Sequence, residues 1–188
     1  FSPARMGAWT LNELGWITLV PATTTGTYAF DAAPLSDTAF YARVQGSNPR
    51  GEYFLLENRQ RQQADTALIR YHCQRAGSPG CPGGLLIWHI DSAKIAQSFS
   101  NDVNAGPSIH GVAVVQADGF GNLDAAPVTG NFCPSSSIFV GCSNRGDAGD
   151  LFPGTTNNTG GLVFRTTPAA LKNSDGSFAG VAVDSIQQ

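Results

Sequence analysis

Charge is what this sequence has least of. Lys, Arg, Asp and Glu make up 13% of its 188 residues, against about 25% in an ordinary soluble domain. The straight-chain helix formers Glu, Lys and Met are scarce, with one methionine in the whole chain, so long regular helices are not expected. No basic run exists. The densest cationic segment holds Arg59, Arg61, Arg70 and Arg75, diluted by Gln and Ala, and the net charge is −3. A nucleic acid is therefore not expected as a partner. No apolar run approaches the roughly 18 residues of a membrane helix, so no membrane span is expected.

Several catalytic signatures are also missing. There is no H-E-x-x-H, and His72, His89 and His110 never fall two within a helical turn. Zinc held by this chain alone would need those dispersed histidines to converge in space. No Gly-x-Ser-x-Gly elbow is present. The Gly-rich stretches lack the strand–loop–Lys context of a phosphate loop. Cysteines are few, and none is spaced C-x-x-C.

The four cysteines fall in two local pairs, Cys73 with Cys81 and Cys133 with Cys142. Three connectivities are possible, and the local one is preferred because short loops close easily. An even count, few lysines and many Ser, Thr and Asn residues favour a secreted, extracellular protein with two disulfide-stapled loops. The rival reading is four free thiols in a cytosolic chain. Phe1-Ser2-Pro3-Ala4-Arg5 is neither an initiator start nor a signal peptide, which gives the expectation of a chain cut from something longer.

What is abundant is turn and strand material. Gly contributes 22 residues and Pro 11, beside much Thr, Val, Phe and Ser. The fold class expected is mostly β: one domain over 1–188, built of short antiparallel or mixed strands, with one short N-terminal helix and long Gly/Asp-rich loops. The helix is expected over 8–14, where Trp9, Leu11 and Leu14 are apolar and Gly15 is a natural stop. Strands are expected over 16–20, 27–30, 39–44, 53–58, 85–90, 111–116, 162–164 and 181–186. The stretch 111–116 is apolar almost throughout and is expected to be central. A turn of helix is expected within 92–99, and a loop over 60–65.

Two stretches organise the rest. The stretches 52–60 and 84–91 are apolar runs of strand length, bounded by Pro and Gly, that end in polar residues. Such strands can deliver carboxylate, imidazole and guanidinium groups to one place; the plainer reading is that these groups pair locally or meet water. His89 and Asp91, two apart on a strand, share a face, so a Ser-His-Asp arrangement would need a serine supplied by the fold. Glu52, Glu57, Asp91 and Asp118 are all open as glycosidase carboxylates, and none is singled out. Calcium has the better pattern: Asp91 with Asp102, Asp118 with Asp124, and Asp147 with Asp150 lie among Asn and Gly, as hard cations prefer. Against it, Asp and Asn beside Gly also simply make turns. Asn157-Asn158-Thr159 is an N-glycosylation sequon.

Five blocks in order carry a resemblance. They are Met6-Gly7-Ala8-Trp9 with Leu14-Gly15-Trp16-Ile17, then 52–60, then 84–91, then Gln116-Ala117-Asp118-Gly119, and then 146–154. The series resembles the region that follows the zinc helix in secreted immune inhibitor A-type metallopeptidases, and covers the chain from about Met6 to Gly154. The resemblance implies part of a metzincin-like, zinc-dependent endopeptidase acting on proteins or peptides. In that family a zinc-held water is activated by the Glu of the zinc helix. That helix is missing here, so no catalytic residue and no zinc ligand carries over. Met6 stands where the family's Met-turn is expected, as an apolar floor under the metal; a core side chain is the plainer alternative. The implied partner is the N-terminal catalytic half. The other reading is a non-catalytic extracellular β module that binds another extracellular protein.

Overall fold

A computed structural model describes residues 5–42, 49–66, 83–97, 102–106, 109–119, 121–124, 149–153, 173–177, 179–181, 183 and 186. Cys73, Cys81, Cys133, Cys142, Asp147, the sequon and the strand expected over 162–164 lie outside them.

Helix α1 spans Ala8–Glu13. It buries Ala8 and Leu11, three apart on one face. Its end is closed by Gly15 N–H to the Asn12 carbonyl at 2.9 Å and Trp16 N–H to the Leu11 carbonyl at 2.8 Å. Gly15 turns out of the helix at φ +70°, where any Cβ would be strained.

Among the described residues, the chain then builds a five-stranded mixed sheet in the order β1-β2-β3-β4-β5. The strands are β1 Thr18–Pro21, β2 Thr38–Ala42, β3 Glu52–Arg59, β4 Gly84–Asp91 and β5 Val112–Val114. β1 and β2 run parallel, and the other neighbours are antiparallel. The centre is the β3–β4 pair, matched along its full length from Glu52↔Asp91 to Arg59↔Gly84. Helix α2, Ser92–Ala96, follows β4 directly. The described residues are thus mostly β with an N-terminal helix.

Strand alternation sorts side chains onto two faces, and both faces are covered. On one, Phe54, Leu56, Leu85 and Ile87 pack with Ala117, Phe152 and Ala179. On the other, Leu55 and Ile90 pack with Ala8 and Ala39. A strand buried on both faces needs apolar residues at consecutive positions, which is why β3 and β4 read as continuous runs. Full burial of side chains such as Phe54, Leu55 and Ile87 is worth about 1.5–3 kcal/mol each.

Four expectations are corrected. The segment 27–30 forms no strand: Asn58 Nδ2 donates to the Phe30 carbonyl at 3.0 Å, and the one backbone bridge nearby joins Ala32 to Asn58. β5 is the last strand of the described sheet, not a central one. Its apolar character comes from cover on both faces, with Val112 packed against the Leu55–Ile90 cluster and Val115 against the Phe54–Ile87 cluster. Val181, Val183 and Ile186 pack against the Phe54 cluster but belong to no strand. Within 60–65, residues Gln63–Asp65 form a single 3-10 turn.

Candidate functional site

β3 and β4 place buried polar groups at both ends, on opposite faces. At the Arg59 end the groups are Glu57, Arg59 and Asp65, all nearly or wholly buried. Arg59 Nη1 reaches both Asp65 carboxylate oxygens, at 3.0 and 2.8 Å. Arg59 Nη2 lies 3.2 Å from Glu57 Oε1. The same guanidinium donates to two main-chain carbonyls, Arg5 at 3.2 Å and Met6 at 3.0 Å. The carboxylates hold the same segment from the other side: Arg5 N–H donates to Asp65 Oδ1 at 3.1 Å, and Ala8 N–H to Glu57 Oε1 at 3.3 Å. Trp88 Nε1 donates to Glu57 Oε1 at 2.7 Å. A Cβ on Gly7 would stand 2.5 Å from Trp88 Cζ2, so only glycine lets the segment lie this close.

Asp65 reaches this place at a local cost. Gln63, at the start of its 3-10 turn, sits at φ +48°, a left-handed conformation that costs a non-glycine residue about 1–2 kcal/mol. Two carboxylates around one guanidinium satisfy most of the desolvated charge.

At the other end Glu52 and Asp91 are cross-strand partners, and both face Arg50. Arg50 donates to Asp91 Oδ2 through Nε at 2.8 Å and Nη2 at 2.6 Å. His89 Nε2 lies 2.6 Å from Glu52 Oε2, and its ring stacks on Phe54 at 5.1 Å between centroids. Ser174, remote in sequence, donates its N–H to Glu52 Oε2 at 2.7 Å and its Oγ–H to Asp91 Oδ2 at 2.8 Å. Asp91 also caps α2, accepting from Lys94 N–H at 2.9 Å. Burial pushes the Asp91 carboxyl up, but hydrogen bonds from Lys94 N–H, Ser174 and Arg50, with the charge of Arg50, outweigh it and hold the group below the ordinary carboxylate value.

This geometry answers several of the sequence readings. Among the described residues, the serine that the fold brings to His89 and Asp91 is Ser174, but its hydroxyl bonds Asp91 while His89 bonds Glu52; no serine–histidine hydrogen bond is made among them. Glu52 and Asp91 do meet, yet their side chains are 1% and 0% exposed and turned onto Arg50. Glu57 lies on the opposite face, against Trp88. Among the calcium candidates, Asp91 is enclosed as described. Asp102 and Asp124 are exposed, Asp118 is half-buried and Asp150 is buried. Asp124 Oδ1 lies 3.4 Å from His110 Nδ1. Ala117 N–H donates to the Asp150 carbonyl at 3.1 Å, which brings the Asp118 and Asp150 segments together. Among the described residues, no group of three His, Cys, Asp or Glu side chains is gathered as a metal site. Met6 is 43% exposed, so it is not a core side chain; its main chain is held and its side chain stands out.

Sequence reasoning missed Asp65, Ser174 and the main chain of Arg5 and Met6 as partners. Asp65 had a signal, an acidic residue six positions after a buried arginine. Ser174 had none. No protein-family profile, curated protein or solved structure matches the chain.

Proposed function

We propose that this chain is the C-terminal portion of a secreted zinc-dependent endopeptidase, whose zinc-bearing helix belongs to another part of the polypeptide or to a companion chain. The observation that carries the reading is the way Met6 is presented. Three buried charged side chains grip the main chain of residues 5–8, while the one methionine is left 43% exposed. A main chain held at several points and offering a soft apolar side chain is what a floor beneath a metal site requires. The sequence carries no H-E-x-x-H, so in this reading the chain's part is scaffold and cleft wall, and catalysis requires the companion half. In this reading the Gly/Asp-rich segments around Asp118, Asp124, Asp147 and Asp150 are long loops that take calcium. Cys73–Cys81 and Cys133–Cys142 are then disulfides of an extracellular protein, and the substrate is a protein or peptide.

A second reading has its own support. Trp16 and Leu35 are 62% and 60% exposed, as in a non-catalytic extracellular module whose apolar side chains meet a partner. One experiment separates the two. The native polypeptide is isolated, its mass determined with and without reduction, and its zinc and casein cleavage assayed. The endopeptidase reading expects a chain or companion carrying an H-E-x-x-H segment, about one zinc per complex, and cleavage abolished by a chelator. A sole species of 19.7 kDa without zinc sinks it and leaves the module.

A further inference from the structure

We infer that Arg59 is the positioning residue of the Met6 segment: held by Asp65 and Glu57, it fixes where the Met6 side chain stands. Its purpose as a floor for a metal-bearing partner rests on the endopeptidase reading; the clamp is a property of this chain. An arginine engaged only in charge pairing needs no main-chain acceptors. Arg59 spends one N–H on the Arg5 carbonyl and another on the Met6 carbonyl, at 3.2 and 3.0 Å, while its buried Nε has no hydrogen-bond partner among the described residues. A buried donor left unmade is costly, so the orientation adopted is the one that serves the two carbonyls. Two more contacts fix the same segment, Arg5 N–H on Asp65 and Ala8 N–H on Glu57. Gly7, between them, lies too close to the Trp88 ring to carry a Cβ, and Trp88 Nε1 is tied to Glu57. Four consecutive residues are therefore fixed by their neighbours, and none of these bonds uses the Met6 side chain.

Lysine at position 59 keeps the charge but loses the planar fork that spans Asp65 and both carbonyls. Alanine at position 7 pushes the segment off Trp88 without replacing a member of an ion pair. Met6 is the sole methionine of the 188-residue chain, so a 13C-methyl methionine label gives a single resonance from the segment itself. Arg59→Lys and Gly7→Ala are each expected to shift that resonance by more than its linewidth. They should also speed exchange of the Ala8 amide by about tenfold. Ser174→Ala, at the opposite end of the β3–β4 pair, should leave both unchanged. A Met6 resonance unmoved by Gly7→Ala and Arg59→Lys overturns the inference, as does an equal response to Ser174→Ala. If Arg59→Lys does not fold, Asp65→Asn, which removes the charge that holds the guanidinium in place, decides instead: an unmoved Met6 resonance overturns the inference. These outcomes stand apart from zinc: native material without zinc overturns the metal-floor purpose, whereas an unmoved Met6 overturns the clamp whatever the zinc content.

Discussion

Asp91 carries more of the fold than its place at the end of a strand suggests. It terminates β4, caps α2, pairs with Arg50 and accepts from Ser174. Asp91→Asn keeps an acceptor for Lys94 N–H but removes the charge that Arg50 answers. We expect a loss of about 2–3 kcal/mol, read as a lower urea midpoint at neutral pH with an unchanged m-value. The pH dependence has a definite sign. The folded carboxyl lies below its ordinary value of 3.8, so its contribution is fully present above that value and disappears as pH falls through the folded pKa. Acid titration of stability should therefore be shallower below pH 3.8 in Asp91→Asn than in the parent. Equal slopes would mean that another carboxylate governs the acid limb. The sequence showed Asp91 as an oxygen ligand beside other Asp and Asn residues. It could not show that Arg50, 41 positions earlier, already supplies the positive charge.

At the scale of elements, the clearest signals were β3 and β4. Their bounds came within a residue at each end because Pro and Gly punctuate them and double-sided burial makes them continuously apolar. The same logic misplaced β5, since continuous apolarity reports cover on both faces and not rank within the sheet. It also over-read 27–30, where alternation was present but the Asn58 side chain took the Phe30 carbonyl that a strand partner would have used. The polar ends of the strands were legible as groups; their division onto two faces followed from the period of two, but their partners Asp65 and Ser174 did not. Core substitutions should rank accordingly. Phe54→Ala, in the centre of one cluster, is expected to lose about 3–5 kcal/mol, and Ile87→Val about 1 kcal/mol. Both are measurable by denaturant unfolding. A Phe54→Ala loss no larger than that of Ile87→Val would mean that the site collapses around the missing ring.

For the whole molecule, the sheet depends on segments that arrive from far along the chain. Residues 5–17 cover one face through Ala8, Trp9 and Ile17. The other face is covered by Phe152 and by Ala179, Val181, Val183 and Ile186. Such cover was invisible in the sequence, because a short apolar segment carries no mark of the face on which it lands. The late segment is tied down at its start by Ser174, whose two hydrogen bonds end on buried carboxylates of both central strands. Around it the turn closes on itself, with Asn173 N–H to the Ser177 carbonyl at 2.9 Å and Gly176 at φ +82°. Ser174→Ala removes one hydroxyl bond and should lower stability by about 1 kcal/mol. A stop after residue 172 removes that bond, uncovers the Glu52 and Asp91 carboxylates, and strips Ala179 and its neighbours from Phe54 and Leu56. The truncated chain should therefore lose several times more than Ser174→Ala and bind a hydrophobic dye that the parent excludes. If the truncated chain instead matches Ser174→Ala in its urea midpoint and stays dark with dye, the 179–186 cover contributes nothing to the core and the hydroxyl alone matters. If it loses the urea transition altogether, the face that Phe54 and Leu56 present cannot fold uncovered. The C-terminal segment is then a necessary part of the folded sheet and not a trim on its surface.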